Sequence, residues 1–197
     1  NSAGVDTSDH EVNIKILLND VVVRGDMTLK QRDQLLAAMT DEVAGLVLAD
    51  NYLQSQALTV ARALGPDALE AQARLIRSLE KAGRLNRAIE YLPDEEELSA
   101  RMANREGLTR PELAVLLAYA KITLYDDLLA SDLPDDPFMA DDLTRYFPKP
   151  LRKAHAEAVG RHRLRREIIA TSVTNSLVNR TGPTFVKEMM EKTGMGP

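Results

Sequence analysis

Helical spacing of apolar residues, interrupted by strong helix stops, is the sequence feature that most constrains the fold. After residue 20 the sequence shows neither the alternation of apolar and polar residues nor the clusters of β-branched residues that are typical of strands. Aromatic residues make up only 4% of the chain, so the core must consist mainly of Leu, Ala, Val and Ile, which suits close contact between helices. The sequence therefore predicts an all-α, multi-helix, bundle-like domain.

The first helix is predicted from a capping pattern and an apolar stripe. Ser8 with Glu11 three residues later is typical of a capping box, in which the Ser hydroxyl accepts a free backbone N–H and the Glu side chain reaches back. Apolar residues then recur at helical spacing from Val12 to Val21, and Gly25 interrupts them. We expect a helix over about residues 9 to 23, with Ser8 at its N-terminus.

Later helices are indicated by similar signals. Thr28 and Thr40 are both candidate helix starts, which leaves open whether the segment up to the Gly65-Pro66 stop is one kinked helix or two. The acidic run from Asp94 to Glu97 suits a helix N-terminus, where carboxylates meet the positive end of the helix dipole. A capping box from Thr109, with Pro in the first turn, predicts the best-defined helix of the chain. A single long helix is expected over about residues 151 to 179, followed by a last short one.

Composition excludes several classes of protein. The net charge of -5 is ordinary for a globular domain, and no uninterrupted apolar run approaches the roughly 20 residues that cross a bilayer. The absence of Cys excludes disulfides and thiolate metal sites, and we expect a cytoplasmic location. The segment 145–167 contains eight Lys or Arg against two Glu, but few aromatic residues that would stack on bases. We expect it to pair with acidic neighbours rather than with nucleic acid.

The histidines do not predict a metal site. His155 and His162 are seven positions apart and would share one face of the expected long helix. A metal-binding pair more naturally uses a spacing of four, with a carboxylate directed at the same point. Solvated or salt-bridged histidines are the preferred interpretation, and no metal ligand is predicted.

Three stretches carry a resemblance to a known family. The N-terminal stretch has the register of the turn, N-A-G-G-V followed by Ser and Glu at intervals of three, that closes the dinucleotide-binding domain of glutamate dehydrogenases, although Ser2 and Ala3 depart from that pattern. All three stretches are similar to the large-subunit, NAD-specific bacterial branch of that family. They are NSAGVDTSDHEVN (residues 1–13, with Asn1, Gly4, Val5, Ser8 and Glu11 in register), RPELAVLLAYAKITLYDDLL from Arg110, and HRLRREIIATSVTNSLVNRTG from His162.

The resemblance implies an activity and roles for three residues. The family converts L-glutamate to 2-oxoglutarate and ammonium, with hydride passing to NAD. By position, Asn1 would approach the nicotinamide side of the cofactor, Val5 would line the substrate pocket, and Ser8 would bind the distal carboxylate of glutamate. A helix N-terminus would favour such an anion at Ser8. From the residues alone, a simple helix cap is the preferred interpretation of Ser8, and only the family resemblance favours the substrate role.

The resemblance also implies how the chain is organised. Residues 1–20 would be a remnant of the dinucleotide-binding region with its exit helix, and residues 21–197 a helical C-terminal domain, both ends being cut. No G-x-G-x-x-G follows a strand and no catalytic residue is predicted here, so the chain alone is expected neither to bind NAD nor to catalyse. Substrates, NAD and self-association are expected of the intact parent enzyme.

The role of the helical region stays open between structure, regulation and oligomer formation. A stand-alone helical interaction module is the alternative from a different class, and a helical RNA-binding domain is a third. If the chain is a stand-alone interaction module, no dehydrogenase activity is expected of the parent gene.

Overall fold

The computed structural model describes the backbone of residues 3–195 and the side chains of residues 8–195. Every regular element in that range is helical, which confirms the all-α prediction. The α-helices are α1 (Ala3–Val23), α2 (Leu29–Ala38), α3 (Thr40–Leu64), α4 (Leu69–Lys81), α5 (Glu95–Asn104), α6 (Arg110–Ala130), α7 (Ala140–Tyr146), α8 (Lys149–Ala154), α9 (Ala156–Gly160), α10 (Arg165–Thr181) and α11 (Phe185–Thr193). Short 3₁₀ turns occupy Gly65–Ala68, Leu133–Asp135 and Pro137–Met139.

Several predicted helix starts are confirmed by their hydrogen bonds. Thr28 and Gln31 form a reciprocal capping box at the start of α2, so the segment up to residue 64 is two helices. The Thr109 N–H donates to Glu112 Oε2 at 2.7 Å before α6. The Asp94 side chain accepts from the Glu97 N–H at 2.8 Å before α5. Local sequence therefore determines these helix ends.

The predicted start of the first helix is wrong. Helix α1 begins at Ala3, five positions before Ser8, so Ser8 lies inside the helix and not at its N-cap. In a continuous helix the N–H groups that Ser8 was expected to cap already donate to carbonyls four residues earlier. The argument that a helix N-terminus favours an anion at Ser8 is therefore lost.

The predicted long helix over about residues 151 to 179 is also wrong. The chain forms three helices there, α8, α9 and α10, with an irregular segment between Gly160 and Arg165. His162 explains the second break, because its Nδ1 accepts the Leu164 N–H at 3.1 Å and takes a donor that a continuous helix would use. His155 and His162 consequently do not share one helical face.

The chain divides into two compact units, each with its own hydrophobic core. The first unit combines residues up to Leu53 with Leu128–Val173, and the second combines Gln54–Asp127 with the residues from Thr174 onward. The core of the first unit contains Ile14, Leu17, Leu18, Val21, Met39, Leu143, Phe147, Leu151, Ala158, Val159, Ile168 and Ile169. The core of the second contains Ala61, Leu69, Ala73, Leu75, Ile76, Leu79, Leu85, Leu92, Leu98, Leu108, Leu113 and Leu116. Across residues 3–195, no helix is long and apolar enough to cross a membrane.

Candidate functional site

Of the three predicted site residues, only Ser8 can be placed. Its side chain is exposed on the N-terminal part of α1. Asn1 and the side chain of Val5 lie outside the part of the chain that the structure describes. The proposed roles of all three residues therefore stay predictions.

A polar cluster, which we call the Asp9 cluster, lies immediately after Ser8. It consists of Asp9 and Asn13 of α1 together with Tyr146 at the end of α7. The Tyr146 hydroxyl donates to Asp9 Oδ2 at 2.8 Å. Asn13 Nδ2 donates to Asp9 Oδ1 at 3.1 Å and to the Tyr146 hydroxyl oxygen at 2.8 Å. The three side chains therefore form a closed ring of hydrogen bonds that joins two successive turns of α1 to Tyr146.

Tyr146 acts in this ring as a hydrogen-bond donor to a carboxylate. Burial, reinforced by the negative charge and hydrogen bond of Asp9, raises the pKa of Tyr146 far above its ordinary value. The hydroxyl therefore keeps its proton at neutral pH. A hydrogen bond to a charged acceptor is stronger than one between neutral groups, so Tyr146 is a firm attachment for Asp9.

Four aromatic rings form a continuous row that includes Tyr146 of the Asp9 cluster. His10 stacks on Tyr146 with centroids 4.6 Å apart, and His10 Nε2 lies 3.8 Å from Asp50 Oδ2. Tyr146 contacts Phe147 edge to face at 5.1 Å, and Phe147 contacts His162 at 5.5 Å. Phe147 is fully buried and anchors the row in the core of the first unit.

His162 ends the row and makes two hydrogen bonds that define its protonation. Its Nδ1 accepts from the Leu164 N–H, so its Nε2 must carry the proton that is donated to the Asn13 carbonyl at 3.0 Å. Burial lowers the pKa of His162 below its ordinary value, which keeps the ring neutral. A neutral imidazole thus ties the segment after α9 to the backbone of α1.

An open groove lies on another side of α1. It has a volume of about 780 Å³, and both apolar and basic side chains line it. The lining residues are Val12, Lys15, Ile16, Leu17, Asn19, Asp20, Val23, Arg32, Leu36, Ala158, Arg161, His162 and Arg163. Asp20 is the acidic member, and hydrogen bonds from Arg24 and Arg161 lower the pKa of its carboxyl.

The basic segment 145–167 is bonded within the first unit, as its charge pattern predicted. Arg161 Nη2 lies 3.4 Å from Asp20 Oδ2, and Arg165 and Arg166 both pair with Asp135. Arg152 donates to the Phe147 carbonyl at 2.7 Å. Among the residues that the structure describes, no group of three His, Asp or Glu side chains is placed to hold a metal ion.

The Asp9 cluster was not predicted from the sequence, although the sequence contains one signal for it. His10 and Asn13 are three positions apart and precede Leu17 by seven and four, so two polar residues lie in the buried stripe of α1. Both side chains are only 5% exposed. Buried polar residues need partners, and such a stripe predicts a polar contact from elsewhere in the chain.

Comparison with known proteins relates the chain to bacterial NAD-specific glutamate dehydrogenases. Residues 1–61 match the model of the bacterial NAD-glutamate dehydrogenase catalytic domain, and residues 105–197 match that of the glutamate dehydrogenase C-terminal region. The NAD-specific glutamate dehydrogenases of Halomonas elongata and Pseudomonas aeruginosa are each 51% identical to the chain, over 98% and 99% of its length. That of Mycobacterium tuberculosis is 45% identical over 100% of the chain. The chain is similar, along nearly its whole length, to one segment of NAD-specific glutamate dehydrogenases. It spans 12% of the length of each of these relatives.

The two glutamate dehydrogenase family regions meet inside the first unit. Residues up to Leu53 come from the catalytic-domain match, and Leu128–Val173 come from the C-terminal match. In the Asp9 cluster, Asp9 and Asn13 belong to the catalytic-domain match and Tyr146 to the C-terminal match. The catalytic-domain match extends to residue 61, and the domain boundary expected after residue 20 stays a prediction.

Proposed function

We propose that this chain is part of an NAD-dependent glutamate dehydrogenase, which converts L-glutamate to 2-oxoglutarate and ammonium with NAD as hydride acceptor. The observation that carries the proposal is identity of 45 to 51% to proteins named NAD-specific glutamate dehydrogenase, over 98 to 100% of the chain. The parent enzyme is proposed to be a self-associating cytoplasmic enzyme of amino-acid catabolism.

The similarity covers the helical region as well as the N-terminal turn, which argues against the alternative of an unrelated helical interaction module. Within the parent enzyme, residues 1–20 are proposed to complete the dinucleotide-binding region, with Asn1 on the cofactor side and Val5 and Ser8 on the substrate side. Since Ser8 is not at a helix N-terminus, its proposed role rests on the family resemblance and on its exposed side chain.

The direct test is an assay of the full-length protein whose gene encodes this chain. We expect NADH to form when both glutamate and NAD are supplied, with 2-oxoglutarate and ammonium as the other products. A folded full-length protein that leaves glutamate unchanged in the presence of NAD would contradict the proposed function.

Substitution of Ser8 tests its proposed role in the same enzyme. If the Ser8 hydroxyl bonds the distal carboxylate, Ser8→Ala removes a hydrogen bond to a charged group, a contribution of about 1.5 to 3 kcal/mol. The KM values for glutamate and 2-oxoglutarate should rise roughly ten-fold to 150-fold, while the KM for NAD stays unchanged.

Ser99→Ala is the matched control, because Ser99 is also an exposed serine within a helix, α5. It should leave all three KM values unchanged. A Ser8→Ala enzyme with the wild-type KM for glutamate would remove Ser8 from the substrate site.

A further inference from the structure

We propose that Tyr146 is a positioning residue for substrate binding: it holds the Asp9 carboxylate and thereby fixes the turn of α1 that carries Ser8. The inference rests on the proposed function, since it concerns the substrate end of α1. In this role, a residue of the C-terminal family region holds in place a helix that belongs to the catalytic-domain region.

The hydrogen bond from Tyr146 to Asp9 lies directly beside Ser8. Asp9 follows Ser8 in the chain, so their Cα atoms are about 3.8 Å apart, and fixing one constrains the other. Both oxygens of the Asp9 carboxylate are bonded, Oδ2 by the Tyr146 hydroxyl and Oδ1 by Asn13 Nδ2. Because Asn13 lies one turn after Asp9 and also bonds Tyr146, two successive turns of α1 are held by one side chain.

Two further contacts restrict the same turns. The His10 ring stacks on Tyr146 with an interplanar angle of 23°, and His162 bonds the Asn13 carbonyl. Residues 9, 10 and 13 are thus all bound to residues of the C-terminal region, while Ser8 stays exposed. An exposed hydroxyl next to a braced turn is the arrangement that a substrate ligand requires, since it is held in place and open to solvent.

Tyr146 is itself held in a fixed position, as a residue that positions α1 must be. The next residue, Phe147, is 0% exposed and belongs to the core of the first unit. Arg152 bonds the backbone on either side of Tyr146. Its Nε donates to the Phe147 carbonyl at 2.7 Å, and its Nη2 donates to the Arg145 carbonyl at 3.0 Å. The Tyr146 ring therefore has its position fixed by the core and not by α1 alone.

The test is Tyr146→Phe in the full-length enzyme, a change that keeps the ring and removes only the hydroxyl. Because small displacements of a binding group weaken substrate positioning strongly, the KM values for glutamate and 2-oxoglutarate should rise. The expected rise is at least about three-fold and below the roughly 150-fold that the strongest hydrogen bond to a charged group represents. The KM for NAD should not change.

A readout independent of turnover accompanies the kinetics. Hydrogen exchange of the backbone amides of residues 8 to 13 should become faster in Tyr146→Phe than in the wild type, because the ring of hydrogen bonds across these turns is opened. The double variant Tyr146→Phe with Asp9→Ala should raise the KM for glutamate by less than the product of the two single effects, since both remove the same bond.

Tyr119→Phe is the matched control. The Tyr119 hydroxyl also donates to a carboxylate, Glu90 Oε1 at 2.6 Å, but it belongs to the second unit. It should leave the KM for glutamate and the exchange of residues 8 to 13 at wild-type values. An active wild type with the same KM for glutamate in Tyr146→Phe as in Tyr119→Phe overturns the positioning role alone. A wild type without glutamate-dependent activity overturns the proposed function and this inference together.

Discussion

At the scale of single residues, His162 shows how a buried polar group determines the local backbone. Its ring accepts from Leu164 and donates to the Asn13 carbonyl, and both bonds together require a neutral imidazole. The residue is only 4% exposed, so a protonated ring would be poorly solvated there. From the sequence alone, His162 was expected to be solvated or salt-bridged on the face of a long helix, because its partner Asn13 is 149 positions away.

The protonation of His162 leads to a prediction for stability. Because its pKa is lower in the folded than in the unfolded chain, the unfolded chain binds this proton first as the pH falls below about 6.5. The free energy of unfolding should therefore be highest above that pH and decrease as the pH falls. In His162→Gln the decrease between about pH 7.5 and pH 5.5 should be smaller, as urea unfolding of the 197-residue chain would measure.

His155→Gln provides the comparison for that experiment, since His155 lies between α8 and α9 and is less buried. It should retain the wild-type pH dependence. An identical pH dependence in His162→Gln and the wild type would show that the His162 ring does not stay neutral in the fold.

At the scale of helices, local sequence signals predicted where helices begin better than where they are interrupted. The capping residues Thr28, Asp94 and Thr109 each bond within three positions, so their patterns are visible in the sequence. The irregular segment between α9 and α10 combines a local bond from Leu164 to His162 with a contact from His162 to α1, and no local pattern records the second. The Asp9 cluster was missed for the same reason, because Tyr146 contacts Asp9 across 137 positions.

The connection between α5 and α6 supplies a prediction at this scale. A Cβ on Gly107 would lie 2.8 Å from the backbone carbon of Gly65, which itself has a φ of +53°. Gly107→Ala should therefore lower the free energy of unfolding by about 1 to 3 kcal/mol, because backbone atoms must move apart. Chemical denaturation of the second unit would measure the loss.

Gly45→Ala is the opposite control. Gly45 lies within α3, and a Cβ there meets nothing within 4 Å. This substitution should raise the free energy of unfolding by roughly 0.5 to 1 kcal/mol, because Ala loses less backbone freedom than Gly in a helix. A loss of stability in Gly45→Ala comparable to that in Gly107→Ala would contradict the steric argument.

At the scale of the whole molecule, the first unit is assembled from distant segments. Leu17 and Leu18 of α1 share a core with Phe147, Leu151 and Ile169. A chain that ends at residue 104 keeps all of α1 but loses those three partners. Its α1 amides should therefore exchange with solvent rapidly, whereas a chain ending at residue 181 should protect them, since the deleted α11 has no buried residues. Equal protection in the two shortened chains would show that α1 folds without the C-terminal region.

The same shared core has a consequence for synthesis on the ribosome. The apolar face of α1 is complete once Val21 has been added, but the last core residue that covers it, Ile169, follows 148 positions later. At a translation rate of about 5 to 20 residues per second, that face stays incompletely covered for roughly 7 to 30 s in every nascent chain. Helix α1 is therefore a segment to which a ribosome-associated chaperone should stay bound until Ile169 has been added.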